Sequence, residues 1–157
     1  MDGFSNLIEF SIALAGFTSI VVAFAHKDEK WNAFDKFRIT NALMCSVGAA
    51  FLSALPYGFF YFGLDEISIW KMEALSVGAY LLFFIMSTLI RRKNTLSPEQ
   101  QSQLPKKMVG LLIAMALVLT IIIFSSAFDL LSWPSKALSY FGIIYLCLLY
   151  TSDAADD

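Results

Sequence analysis

Three carboxylates sit inside apolar sequence: Glu9 in NLIEFSIALAG, Glu73 in WKMEALSVGAY and Asp129 in FSSAFDLLSW. An ionisable side chain in such surroundings is costly and is often retained for function, because out of water it needs a counter-charge or a proton. Three of them, on three segments at similar depth, make a candidate cation or proton site. Helical spacing singles out Glu73. At 100° per residue, Glu73, Ser76, Tyr80, Ser87 and Thr88 fall within about 60° of one line. Leu75, Leu82, Met86 and Leu89 fall on the opposite side. This predicts an inward polar row headed by Glu73, with Ser76 and Tyr80 nearest to it. Glu9 shares a face with Ala13 and Gly16, also an interior type of face, and Asp129 follows Ser125 and Ser126. A plainer reading competes: all three carboxylates lie within about two turns of a helix end, where water solvates them.

Other chemistry has little support. The sole histidine, His26, stands next to Lys27 at the end of an apolar run. One histidine without cysteine partners makes neither a zinc site nor paired haem ligands. No serine sits in a nucleophile elbow, and no glycine loop is built to cradle phosphate. The expectation is a non-enzymatic protein with no catalytic residues, no metal and no cofactor.

The elements that position these residues follow from composition. Of 157 residues, 58% are hydrophobic and only 15% charged, whereas soluble domains run near 45–50% apolar and about 25% charged. The charges cluster, and apolar runs of about 20 residues lie between them, long enough for a hydrocarbon core of about 30 Å. The runs are continuous rather than alternating, which selects helices over barrel strands. Spans are expected at about Phe4–Ala25, Phe37–Gly63, Ile67–Ile90 and Lys107–Leu131, with a fifth from Pro134 to Leu146 that is too short to cross. The fold class is therefore an all-α polytopic transmembrane helix bundle, a single domain over 1–146 with four full spans and a truncated fifth. The first run is not a signal peptide, since its first basic residue, Lys27, follows the apolar stretch instead of preceding it.

Small residues mark the packing faces. In the second span Ala42, Cys45, Ser46, Ala49, Ala50 and Ser53 share one side, and Leu43, Val47, Phe51 and Leu55 the other. Ser11, Ala15, Ser19 and Ala23 recur at spacing four in the first span. In lipid, helices associate by close packing and not by apolar burial, so such faces let backbones approach. They serve either as a seam between copies or partners, or as packing between the first two spans. Pro56 is expected to kink the second span.

Of the basic residues, Lys27, Lys30, Lys36 and Arg38 lie in the first loop and Arg91, Arg92, Lys93, Lys106 and Lys107 in the third, leaving only Lys71 and Lys136 elsewhere. Basic loops stay cytoplasmic, which puts the N-terminus outside and loops 26–38 and 91–107 inside. Within those loops, Asn32 with Asp35, and Ser97 with Pro98 and Gln100, read as helix starts. Trp31 suits a membrane interface.

The final residues, Cys147–Asp157, read CLLYTSDAADD. They resemble the translation of a transposase sequencing adapter, whose TGT CTC TTA TAC ACA TCT gives Cys-Leu-Leu-Tyr-Thr-Ser in frame. The resemblance implies a non-native tail and a native chain that departs after Leu146. On that reading Cys45 is the only native cysteine, with no internal disulfide or thiol metal site. Without Asp153, Asp156 and Asp157 the formal charge moves from −2 to +1.

The stretch IALAGFTSIVVAF (Ile12–Phe24), followed by WNAFDKFRI (Trp31–Ile39) in a basic loop, resembles a family of uncharacterised small multi-pass proteins of the bacterial inner membrane. The resemblance covers about a third of the chain and implies location, not mechanism. Together these features suggest an inner-membrane protein in contact with the lipid bilayer and not with nucleic acid. The leading expectation is an interaction protein that packs with itself or with a membrane partner. The alternative is a proton- or cation-coupled carrier of a small solute using Glu73, Glu9 and Asp129.

Overall fold

The computed structural model describes residues 8–9, 11–13, 16, 32–103 and 106–154. The expectations for Ala15, Ser19, Ala23, His26 and Trp31, and most of the expected first span, fall outside these residues. All regular structure among the described residues is helical. The elements are α1 (Ala33–Tyr61), α2 (Glu66–Thr95), α3 (Pro98–Gln103), α4 (Lys106–Ala127) and α5 (Ser135–Ala154). Among the described residues, three segments are long and apolar enough to cross a membrane: Ala33–Tyr61, Glu66–Thr95 and Gly110–Ala127. Ser135–Leu149 is a shorter apolar helix.

Local chemistry explains most boundaries. Asn32 caps α1 by a reciprocal box: its Oδ1 accepts from the Asp35 amide at 2.9 Å, and its own amide donates to Asp35 Oδ2 at 3.4 Å. The helix consequently begins one turn before the apolar run that revealed it. It passes through Pro56 and ends at a left-handed Gly63 with φ 78°. There the Gly63 amide donates to Phe60 O and the Leu64 amide to Phe59 O, a Schellman stop that glycine adopts without a Cβ clash. Asp65 then caps α2. It accepts from the Ser68 amide at 3.2 Å and from the Ser68 hydroxyl at 2.6 Å. These bonds hold the Asp65 carboxyl below its ordinary value, the hydroxyl contributing most. At the other end α2 runs on to Thr95, with Arg92 and Lys93 in a last turn where positive charge suits the helix dipole. The short α3 starts as its residues foretell, with Gln100 and Ser97 bonding reciprocally.

Two further ends differ from expectation. The fourth helix stops at Ala127 and not at Leu131. Asp129 takes a left-handed φ of 58°, its amide donates to Ser126 O, and the Leu130 amide donates to Ser125 O at 2.8 Å. The stop is the same as at Gly63, with an aspartate in glycine's place. The fifth helix continues past Leu146 to Ala154, into the residues that resemble an adapter.

The helix α2 packs on α1, α4 and α5, and α5 in turn packs on α1 and α4. So α2 and α5 form the shared centre. One row of α2, Ile69, Ala74, Val77, Leu81 and Ile85, meets Ala49 and Leu52 of α1, Ile123 and Ala127 of α4, and Ile143 of α5. A Cβ on Gly142 of α5 would collide with Val77 and stand 3.1 Å from Ile123 Cδ1, so a bare backbone is needed at that crossing. The expected small face of α1 is turned inward: Cys45, Ser46, Ala49 and Ser53 are buried, Ala42 and Ala50 half-buried. The larger Val47 and Phe51 are exposed on the opposite side.

Candidate functional site

Glu73 is the eighth residue of α2, about 10 Å along the axis from its start at 1.5 Å per residue. The polar row puts it on the inner side, and its relative exposure is 0%. Its flanking turns bury Ile69, Trp70, Ala74 and Val77. Neither carboxylate oxygen has a hydrogen-bond partner among the described residues. Most buried polar groups are paired, and each that is not costs about 1–3 kcal/mol. Glu73 is thus an acid held in the packed bundle against an energetic cost.

Polar groups on the helices that pack together bond to other partners than Glu73. One turn toward the helix start, Trp70 Nε1 donates to Glu66 Oε1 at 3.4 Å, and Lys136 Nζ lies 4.8 Å from the Trp70 ring centre. Lys71 pairs with Asp129. The buried hydroxyls also bond to backbone: Ser53 to Ala49 O, Thr120 to Ala116 O, Ser139 to Ser135 O, and Ser126 to Trp133 O.

The three expected carboxylates occupy different surroundings. Asp129 is a surface group, with its side chain 72% exposed and neutralised by Lys71. Glu9, Ala13 and Gly16 are all exposed, whereas Ser11 on the same segment is buried, with its Oγ 3.8 Å from Cys147 Sγ. Glu9 and Asp129 thus share an exposed position. Glu73 instead lies inside even though it is near a helix end.

Ser76, Tyr80 and Thr88 of the polar row are partnered. The Tyr80 hydroxyl donates to Met44 O of α1 at 2.6 Å. Its ring lies over Gly48, where any Cβ would overlap it. Farther along, Asn41 Oδ1 of α1 accepts from Arg91 Nη2 at 2.9 Å and from Thr88 Oγ1 at 3.4 Å. Ser76 turns its hydroxyl back to Met72 O. Sequence reasoning missed Asn41, Gly48 and Arg91 as members of one seam. Asn41, Cys45, Gly48 and Leu52 recur at spacing three and four within the α1 run, and that recurrence was the available signal.

No protein-family model, curated protein or solved structure matches this chain.

Proposed function

We propose that this protein is a multi-pass carrier of the bacterial inner membrane, in which Glu73 exchanges a proton or cation to drive passage of a small solute. The observation that carries this reading is the buried carboxyl of Glu73, without a hydrogen-bond partner among the described residues. Such a group is expensive in a membrane bundle, and an apolar residue would pack there more cheaply. Binding and releasing a small cation gives it a reason to remain. In this reading the bilayer surrounds four full spans and a fifth helix, the N-terminus is outside, and loops 26–38 and 91–107 are cytoplasmic. Glu9 and Asp129 flank the outer end as surface charges and do not share the bound ion. No enzymatic step and no cofactor are involved.

The interaction-protein reading has lost part of its motive. Ser46, Ala49 and Ser53, which suggested a seam between copies, are buried within this one chain. That favours the carrier.

The test is flux in proteoliposomes loaded with a pH-sensitive dye, under imposed proton and cation gradients. The wild-type protein is expected to pass charge or solute, and Glu73→Gln, which keeps the size and removes the exchangeable charge, to lose it. Equal flux in both would overturn the proposal.

A further inference from the structure

We infer that the ion Glu73 takes is the proton and not a metal cation. The inference rests on the carrier reading and narrows it. It comes from what surrounds the carboxyl and not from the carboxyl alone.

A metal cation leaving water needs a shell of oxygens. Magnesium takes an octahedral set and calcium about 6–8 oxygen ligands. Around Glu73 the described residues assemble no such shell. Neither of its oxygens has a polar atom at hydrogen-bond distance among the described residues. No group of three or more His, Cys, Asp or Glu able to hold a metal occurs among those residues. The other acids nearby in sequence or packing are engaged: Glu66 with the Trp70 indole and Asp129 with Lys71. The buried hydroxyls of Ser53, Thr120, Ser126 and Ser139 donate to backbone carbonyls of their own helices or loop, and none of them stands at hydrogen-bond distance from the Glu73 carboxyl. A cation at Glu73 would thus hold one carboxylate and little else, having lost most of its hydration, which is a large net cost.

A proton needs none of this. It forms one O–H bond to one carboxyl oxygen and cancels the charge completely. The surrounding Ile69, Ala74 and Val77 tolerate a neutral acid far better than an ion pair without a shell. The exchange balances simply: one proton joins the carboxylate from one side and leaves to the other, with no redox partner or leaving group.

Labelling with a hydrophobic carbodiimide tests this on the unaltered protein in its membrane. The reagent adds across the protonated carboxyl and rearranges to a stable N-acylurea, so the modified peptide identifies the residue by mass. The inference expects Glu73 to be labelled at a rate that sodium, lithium, potassium and calcium leave unchanged at constant pH and ionic strength. A bound cation would compete, slowing labelling about tenfold when present at about ten times its dissociation constant. Such protection by any one ion would overturn the proton assignment while leaving ion exchange at Glu73 standing. Absence of labelling at Glu73 under all conditions would overturn the carrier reading itself, and this inference with it.

Discussion

Asn41 and Glu73 are both buried polar side chains in apolar helices, yet their surroundings are opposite. Asn41 accepts from Arg91 and Thr88, and beside it Tyr80 donates to Met44 O, so α1 and α2 are joined by a saturated polar seam. Glu73 lies on the same row of α2, one or more turns away, and has no such partner among the described residues. The seam is what a structural polar group in a membrane bundle looks like: each member is satisfied, and the set fixes how two helices meet. Glu73 fixes nothing of the kind. The difference teaches that, among the described residues, its carboxyl forms no bond that joins one helix to another.

The comparison can be sharpened on the seam side first. Gly48→Ala should have the largest effect, because its Cβ would occupy the space of the Tyr80 ring. Displacing that ring also breaks the bond to Met44 O. The expected loss is about 3 kcal/mol, the upper end for overpacking a tight site, read by thermal or denaturant unfolding in detergent. Asn41→Leu comes next. It removes an acceptor from the Arg91 guanidinium, a charged donor, and should cost about 2 kcal/mol. If the variant is as stable as wild type, the seam is not structural and the contrast with Glu73 collapses.

The smallest effect tests a control outside both regions. Asp65 caps α2, and its bonds to Ser68 hold its carboxyl below the ordinary value. A carboxyl lowered by folding stabilises the fold above its unfolded value, and that stabilisation disappears as pH falls through the folded value. The stability difference between wild type and Asp65→Ala should therefore be present at neutral pH and vanish in acid. A difference that grows in acid would contradict the assigned cap.

What could be read in advance follows from range. The caps at Asn32 and Ser97 involve residues three apart, so the sequence alone places both helix starts. The inward turn of Glu73 was legible because the 100° period of α2 carries Tyr80, Ser87 and Thr88 on its side. The end of α4 was not legible, since Asp129 takes the left-handed turn where a glycine would have announced it. The Asn41–Arg91 bond was hidden for another reason. Its members are 50 residues apart, and an arginine at a span's end reads first as a charge that orients the chain. In sequence Glu73 stood out by its polar row, while Glu9 was also read on an interior type of face and Asp129 at similar depth. Only helix packing separates a carboxylate in the core from two at the surface.

The most direct test of that separation is the unfolding stability of Glu73→Met, an unbranched apolar side chain of similar length, measured against wild type in the same bilayer or detergent. If the carboxyl is retained for exchange and contributes no structural bond, the variant should be as stable as wild type or more stable by about 1–3 kcal/mol, the cost of an unsatisfied buried polar group. A loss of stability of that size would show Glu73 to be a structural partner like Asn41, and would contradict the account.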